Sequence, residues 1–393
     1  MPWKDVSVMD QKREFINLYI SGAYSLSELC REFNISRPTA RKYANRFREL
    51  GDPGLNAQSR APHHIPLKTD PEIEQAICEY RQGKPNYGIE KILRILKNKY
   101  SEDRLPALST GNLILKRNGL IIPKKRFRRV EPVHPIFDPE APNEVWSGDF
   151  KGKFKMGNGV YCNPLTIADS FSRFVFMAKG MHEATFEGCR KGYEEVFREY
   201  GMPLQFHTDN GPPFGCVASL CRLTRLAVWL IELGIEPVYS DPGHPEQNGR
   251  HERMHRDLKA EATRPPGYNL QAQQRKLNSF RIEYNEVRPH SALDLETPSK
   301  IHVRSDREYP EKIEVWEYPK EMKIRRVCRN GAIRWGHSHW VGVSTTLMEK
   351  NIGLEELGDG IWGVYFRQKR LGFFNEKYLR IHDQEGRFKR NRV

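Results

Sequence analysis

The sequence predicts a multidomain protein with helical modules at the N-terminus, a central α/β core with a mixed five-stranded sheet, and a small C-terminal β-barrel. Three observations support this fold class. At 393 residues, the chain is too long for one hydrophobic core. Apolar residues recur with a helical period up to about residue 119, and the period changes to two from Val145. After about residue 322, aromatic residues and glycines recur at short intervals.

Charge is distributed unevenly along the chain, whose formal net charge is +14. Residues 1–135 carry 25 Lys and Arg against 15 Asp and Glu, residues 136–300 carry 20 against 22, and residues 301–393 carry 19 against 13. Basic flanks are suited to bind phosphates, and a slightly acidic centre keeps carboxylates for another task. Charge alone leaves open a basic protein whose Lys and Arg are merely solvated.

Composition also argues against several other classes of protein. No apolar run approaches the roughly 18 to 20 residues of a membrane span, and the first residues lack the apolar centre of a secretory signal. The seven cysteines form no Cys-x-x-Cys pair, and Cys216 and Cys221 lack the second ligand pair that a zinc site needs. We therefore expect a cytoplasmic protein with reduced thiols.

The first domain, residues 1–52, is predicted to contain three helices. Ser25-Leu-Ser-Glu28 is a capping box that begins the second helix, and Ser36 caps a third helix, Arg37–Leu50. A helix, a tight turn and a helix that opens with Arg-Pro-Thr-Ala-Arg-Lys are typical of a helix-turn-helix domain, although a plain three-helix bundle stays open. The side chains predicted to enter the major groove are Arg37, Thr39, Arg41 and Lys42.

A second helical DNA-binding domain, winged-helix-like, is predicted over residues 67–122. Its helices are expected over 71–81, over 87–100, and from a cap at Ser109 to Gly119. A basic linker follows over 123–140, and its charges are suited to follow a phosphate backbone. The basic side chains of this linker are Lys124, Lys125, Arg126, Arg128 and Arg129.

The central core is predicted over residues 141–300. The period of two predicts antiparallel strands over 145–154, 160–168 and 173–179, with a hairpin turn at 156–159. Helices over 183–200 and 217–233, strands over 204–208 and 235–239, and a helix from about Gly249 then alternate, which predicts a mixed sheet. The remaining segments are an SH3-like β-barrel over 312–384 and a basic tail over 385–393.

Three carboxylates in the core are candidates for one site. In FHTDNGPPF, Asn210-Gly211 has the sequence of a hairpin turn, but the two prolines that follow lack the N–H donors of an ordinary central strand. Asp209 is therefore predicted to lie just past a strand end, where open α/β sheets place their sites. Asp149 lies within the first strand, where a buried carboxylate needs a cation.

Glu252 is the third candidate, and it is predicted to lie in the first turn of a helix. Arg256 and Lys259 follow it at i+4 and i+7, so they form a basic stripe on the same face. An ordinary Glu–Arg helix pair is the alternative. Three carboxylates suit Mg²⁺ or Mn²⁺, and two such ions about 3.5–4 Å apart stabilise the attacking and leaving oxygens of a phosphoryl displacement. We expect two ions.

At these residues the chain resembles a family: the bacterial insertion-sequence DDE transposases of the retroviral-integrase superfamily, whose core is RNase H-like. The matching motifs are Trp146-x-x-Asp149, Asp169-x-x-Ser172-Arg173, His207-Thr-Asp-Asn-Gly211, Asn248-Gly-x-x-Glu252 and Tyr284-Asn285-x-x-Arg288-Pro289-His290. The resemblance implies that Asp149, Asp209 and Glu252 are the catalytic and metal-binding triad.

The resemblance also implies a function and partners. The implied protein is a nucleoid-associated DNA transposase that binds terminal inverted repeats, cleaves the 3′ ends and joins them to target DNA. Two DNA ends must be brought together, so a homo-oligomer is implied, a dimer or a tetramer on DNA. Two other functions stay open: an RNase H-like nuclease without strand transfer, and a helix-turn-helix repressor whose core is catalytically silent.

The sequence departs from the family in the spacing of the second and third acids. The 42 residues between Asp209 and Glu252 are more than is typical, and the extra length is expected within 212–230. Glu246 is the alternative third acid, although it lies in a turn without the basic stripe. Asp169 and Asp241 are interpreted as turn-capping residues.

Four further polar residues lie close to the candidate acids in the sequence. His207 and Asn210 flank Asp209 and are expected either to orient it, to contact DNA or to be structural. His251 and His255, at i and i+4, lack a third metal ligand. They are expected to contact DNA or simply to be exposed.

Overall fold

The computed structural model describes residues 7–58, 68–121, 138–216, 219–241 and 244–383. The chain divides into two compact units, Met1–Lys68 and Thr69–Val393. Among the helices in the described ranges, none combines the length and apolar character that a membrane crossing requires.

Within its described residues, 7–58, the first unit contains three α-helices, as the sequence predicts. They are α1 (Val8–Ser21), α2 (Leu26–Glu32) and α3 (Arg37–Leu50). The capping box at Ser25 and Glu28 is present, and the side chain of Ser36 caps α3. Phe15, Ile16, Leu29 and Ala40 form the centre of a small apolar core between these helices.

The second unit begins with three short helices around their own apolar cluster. They are α4 (Pro71–Gly83), α5 (Ile89–Leu96) and α6 (Leu108–Arg117). The predicted cap at Ser109 is wrong: Ala107 is the N-cap residue of α6, and no side chain caps it. The predicted helix over 87–100 is shorter because a 3₁₀-type turn follows Leu96, where Lys99 N–H donates to the Leu96 carbonyl.

The centre of the second unit is a mixed five-stranded sheet, as the sequence predicts. Its strands follow the order β5-β4-β1-β6-β7. Strands β1, β4 and β5 pair antiparallel, whereas β6 pairs parallel with both β1 and β7. The strands of this region, including the separate hairpin β2–β3, are β1 (Val145–Phe150), β2 (Phe154–Lys155), β3 (Tyr161–Cys162), β4 (Leu165–Asp169), β5 (Val175–Lys179), β6 (Gln205–Thr208) and β7 (Glu236–Tyr239).

Helices cover both faces of this sheet. Trp146, Phe206 and Ile167 pack with α7 and α8 on one face, whereas Ala168 and Val175 pack with α9 and α10 on the other. The helices that follow the sheet in sequence, with the short α11, are α7 (Phe186–Tyr200), α8 (Arg225–Glu232), α9 (Gly249–Ala262), α10 (Leu270–Ile282) and α11 (Pro298–Ile301). Each face therefore has its own apolar core, and the carboxyl ends of β1 and β6 lie side by side.

Three sequence-based elements in the core are wrong. The strands predicted over 145–154 and 160–168 are each two strands, one in the central sheet (β1 and β4) and one in the small hairpin (β2 and β3). The helix predicted over 217–233 begins only at Arg225, because the Thr224 side chain caps it by accepting the Ala227 N–H. Residues before Thr224 form instead a 3₁₀ turn, Leu220–Arg222.

The C-terminal region is rich in strands, as predicted. A five-stranded antiparallel sheet has the order β14-β13-β12-β11-β8, and β9 and β10 form a separate hairpin. The closed barrel is not confirmed, because in the described ranges β14 and β8 are the two edges of this sheet. Its strands are β8 (Lys323–Arg326), β9 (Ala332–Trp335), β10 (His339–Gly342), β11 (Asn351–Gly358), β12 (Ile361–Phe366), β13 (Lys369–Asn375) and β14 (Arg380–His382).

Candidate active site

Asp149 lies near the end of β1, directly opposite Thr166 of β4. The preceding residue must be small, because a Cβ on Gly148 would lie 2.6 Å from the Tyr193 hydroxyl and 2.7 Å from the Phe206 ring. The Asp149 side chain is only 19% exposed. Burial raises the pKa of Asp149 to about 7, and the negative charges of Asp209 and, less strongly, Glu252 contribute.

Asp209 follows β6 directly, as the sequence predicts, and β6 is the parallel neighbour of β1. Its Oδ1 accepts the Gly211 N–H at 3.1 Å. The residue is exposed by area, yet neighbouring atoms desolvate the carboxylate enough to raise its pKa, which the Gly211 N–H partly offsets. No hairpin forms at Asn210-Gly211, since β6 has parallel partners on both sides.

Glu252 lies in the first turn of α9, as predicted, and it is exposed. His251, the residue before Glu252, hydrogen-bonds with Ser147 of β1 and Thr166 of β4, and the negative charge of Glu252 contributes to the raised pKa of Asp149. Two strands and one helix therefore bring the three predicted acids toward the same edge of the sheet. The side chain of Glu246, the alternative third acid, lies outside the described part of the chain.

His251 and His255 are not exposed, and this prediction is wrong. They are 2% and 7% exposed, and the Nε2 atoms of both hydrogen-bond with Thr166 Oγ1 at 2.7 Å. The Thr166 hydroxyl also donates to the Asp149 carbonyl at 3.1 Å. Because a hydroxyl has one hydrogen, both imidazoles donate their Nε2–H to Thr166.

The other nitrogens of these two histidines face β1. His251 Nδ1 hydrogen-bonds with Ser147 Oγ at 2.8 Å, and His255 Nδ1 lies 3.6 Å from Asp149 Oδ2. Burial lowers the pKa of His251 to about 3 and that of His255 to about 2, so both are neutral at neutral pH. They leave the charge of Asp149 uncompensated.

The structural interpretation of the remaining polar residues agrees with their contacts. His207 is buried and its Nε2 hydrogen-bonds with Ser240 Oγ at 3.0 Å, and Asn210 Nδ2 donates to the Ser240 carbonyl. Asp169 accepts the Ser172 N–H at 2.8 Å, which caps a turn. Asp241 accepts a hydrogen bond from the Gln247 amide at 3.0 Å.

The predicted DNA-binding side chains lie in three places. On α3, Arg37, Arg41 and Lys42 are exposed, whereas Thr39 hydrogen-bonds with the capping Ser36 at 2.9 Å. Arg256 and Lys259 are exposed on α9. The basic residues of the linker, Lys124, Lys125, Arg126, Arg128 and Arg129, lie outside the described residues.

The three acids do not form a ready-made cluster of metal ligands. Within the described ranges, no group of three or more His, Cys, Asp or Glu side chains is gathered closely enough to hold one ion. The donor chemistry nevertheless fits Mg²⁺, which takes oxygen ligands, uses one or two protein carboxylates and keeps several waters. Uncompensated negative charge at Asp149 and Asp209 is what a hard cation would neutralise.

Comparison with known proteins identifies two kinds of domain. The integrase core domain family matches residues 139–245 and, in a second match, residues 233–298. A helix-turn-helix domain family matches residues 11–63. These ranges contain the three candidate acids and the exposed basic residues of α3.

The curated relatives include proteins of bacterial insertion elements. A 31.7 kDa protein of insertion element IS407 from Burkholderia multivorans is 28% identical over 252 residues, which are 63% of this chain and 87% of that protein. A 39.2 kDa protein of insertion element IS476 from Xanthomonas euvesicatoria is 23% identical over 258 residues, 63% of this chain and 69% of that protein.

A solved structure of the HTLV-2 integrase catalytic core domain in complex with magnesium is also similar. It has 19% sequence identity and a TM-score of 0.34, and it covers 42% of this chain and 100% of that chain. The matched integrase core and helix-turn-helix domains, together with the insertion-element relatives, support the resemblance to retroviral-integrase-like transposases of insertion elements.

Proposed function

We propose that this transposase binds the terminal inverted repeats of its element, cleaves their 3′ ends and joins them to target DNA by divalent-metal-dependent phosphoryl transfer. Asp149, Asp209 and Glu252 are the acids that we assign to this chemistry. The observation that carries the assignment is the placement of Asp149 and Asp209 at the adjoining carboxyl ends of the parallel strands β1 and β6, where burial and both other acids raise the pKa of Asp149. Such uncompensated carboxylates at strand ends are typical of functional sites.

The chain's own groups would work as follows. Asp149 provides the central carboxylate, and the Gly211 N–H holds one oxygen of Asp209, so the other oxygen is free to bind a ligand. The neutral His251 and His255 fix α9 against Thr166 without adding charge. Bound Mg²⁺ or Mn²⁺ would supply Lewis-acid stabilisation of charge on the phosphate oxygens.

The basic surfaces have separate tasks in this proposal. Arg37, Arg41 and Lys42 would contact the element ends through the major groove, with Thr39 at the start of the same helix. Arg256 and Lys259, one and two turns beyond Glu252 on the exposed face of α9, would contact phosphates next to the reacting bond. The helical domain over 67–122 would add end binding, and the C-terminal strands would support DNA binding or assembly of a dimer or tetramer.

The test is a strand-transfer assay with a labelled duplex of the element end, a supercoiled target plasmid, and Mg²⁺ or Mn²⁺. We expect cleavage and joining by the parent chain and neither reaction by Asp149→Asn or Asp209→Asn. Glu187→Gln removes an exposed carboxylate whose side chain is 72% exposed, and it is the matched control that should retain both reactions.

The outcomes separate the proposal from the two other functions. Cleavage without joining would identify a nuclease. Sequence-specific binding of the element ends with no cleavage by the parent chain, under any divalent cation, would identify a DNA-binding repressor. Full activity of Asp149→Asn would show that the assignment of the acids is wrong.

A further inference from the structure

The segment over 219–224 lies within the extra length between the second and third acids. It contains the 3₁₀ turn Leu220–Arg222, in which Cys221 and Arg222 have positive φ angles of 49° and 57°. Two consecutive non-glycine residues with positive φ angles are uncommon, and such a backbone conformation persists only where surrounding contacts hold it. The contacts of this segment extend in two directions.

One side of the segment packs against the C-terminal sheet. Leu220 and Leu223 are buried in the same apolar cluster as Ile333, Leu371 and Phe374. The Cys221 thiol also donates to the Leu371 carbonyl, with an Sγ to oxygen distance of 2.8 Å. The segment is therefore fixed to strand β13 by apolar burial and by hydrogen bonding of the Cys221 thiol.

The other side of the segment reaches the loop that carries Asp209. Arg222 Nη1 donates to Asn210 Oδ1 at 3.0 Å and to the Ser240 carbonyl at 3.1 Å. Asn210 follows Asp209 directly, and Ser240 follows the end of β7. One guanidinium nitrogen thus joins the loops after β6 and β7, and Asn210 Nδ2 donates to the same Ser240 carbonyl.

We propose that Arg222 is a positioning residue that sets the place of the Asp209 carboxylate. A charged donor that serves two acceptors restrains the backbone at Asn210 more than a neutral side chain would. Packing of Leu220 and Leu223 against the C-terminal sheet holds the backbone of Arg222. The position of the second acid consequently depends on a domain that is remote from it in sequence. This inference rests on the proposed role of Asp209 as a metal-binding acid.

The test measures metal binding directly, with the full chain and Mn²⁺ alone, by titration of free Mn²⁺ with electron paramagnetic resonance. We expect Arg222→Ala to weaken Mn²⁺ binding by about tenfold, because it removes charge-assisted hydrogen bonds. Arg222→Lys keeps a cationic donor and should restore part of the loss. The matched control is Arg225→Ala, three residues along the chain. The Arg225 guanidinium lies 3.4 Å from the Glu187 carboxylate, and the Arg225→Ala variant should bind Mn²⁺ like the parent chain.

A double variant distinguishes positioning from general loss of structure. If Arg222 acts through Asn210, the double variant that combines Arg222→Ala and Asn210→Ala should bind Mn²⁺ as tightly as whichever single variant has the lower Mn²⁺ affinity. Additive losses, or parent-like binding by Arg222→Ala, would overturn the inference. Asp209→Asn separates this result from the proposed function: if it binds Mn²⁺ as tightly as the parent chain, Asp209 is not a ligand and the function itself fails.

Discussion

The two faces of α9 differ in chemistry, although they belong to one helix of 14 residues. The inner face carries His251, Met254, His255 and Leu258, all buried, and its two neutral histidines hydrogen-bond with side chains of β1 and β4. The outer face carries exposed charges, led by Glu252. The inner face determines where the helix lies, and the outer face determines what the helix can bind.

Substitutions on the two faces of α9 should therefore have separable effects. A charge on the exposed face contributes little to the free energy of unfolding, because water already solvates it. A neutral hydrogen bond on the buried face contributes to the free energy of unfolding, and it affects the reaction only by holding the helix in position.

Glu252→Gln should give the largest effect on activity with almost none on stability. Loss of one of the three acids should reduce DNA cleavage by at least about a hundredfold, as for other groups that stabilise developing charge. The free energy of unfolding should change by less than about 0.5 kcal/mol, because the side chain is exposed. Cleavage rates and urea unfolding of the same preparation measure both quantities. A variant that cleaves normally would remove Glu252 from the triad.

Thr166→Val should show the opposite pattern. The substitution leaves the Nε2–H donors of His251 and His255 buried without Thr166 Oγ1 as acceptor. Each lost buried hydrogen bond costs roughly 1–3 kcal/mol, so the free energy of unfolding should fall by at least about 1 kcal/mol. Thr166→Ser keeps the hydroxyl and serves as the control in the same urea titration. Equal stability of the Val and Ser variants would contradict the network.

The effect of pH should follow the pKa of Asp149. Its folded pKa of about 7 lies above that of an exposed Asp, so the fold holds a proton that the unfolded chain has lost. Without metal, the contribution of Asp149 to stability should therefore decline as pH rises from about 4 to about 7, and then level off. Mg²⁺ competes with that proton, so stabilisation by Mg²⁺ should increase over the same range.

Thermal unfolding with and without Mg²⁺, at about pH 5.5 and about pH 8.5, measures this linkage. The rise in Tm on adding Mg²⁺ should be larger at the higher pH. Asp149→Asn removes one titrating group and should narrow the difference between the two pH values, leaving the part that is due to Asp209, whose pKa is also raised. A rise in Tm that is independent of pH in the parent chain would contradict competition at Asp149.

The sequence predicted elements whose signals are local, and it missed contacts that depend on strand register. The bounds of α3 follow from a capping Ser36 and a terminating Gly51, which act within one turn of the chain. The prediction for His255 was wrong because its partner, Thr166, comes from β4, and only the docking of α9 brings the two together. The place of Arg222 depends likewise on a β-sheet about 150 residues further along the chain.

The positions of the three acids at a strand end or a helix start could be predicted from local patterns, whereas their role as a triad stays a prediction that rests on the family resemblance. Asp209 precedes Asn-Gly-Pro-Pro, which excludes an ordinary strand, and Glu252 falls in the first turn of a basic helix. What no local pattern could supply is the degree of burial at Asp149, which depends on Gly148 packing against Tyr193 and Phe206. The raised pKa of Asp149 is thus a property of the tertiary structure.

The smallest effect is expected on the outer face of α9, at the two basic residues beyond Glu252. The side chain of Arg256 is 73% exposed, and Lys259 is also exposed. If each neutralises one phosphate, Arg256→Ala or Lys259→Ala should reduce the slope of log affinity against log salt by about one and weaken DNA binding uniformly across sequences. The free energy of unfolding should be unchanged.

Lys300→Ala, on α11, removes an exposed lysine that pairs with Glu296 and is the matched control. Fluorescence anisotropy with element-end DNA and a scrambled duplex, over a series of salt concentrations, measures the slopes. A loss confined to the element-end duplex would indicate that α9 reads bases, and the outer face of the helix would then contribute to end recognition as well as to phosphate binding.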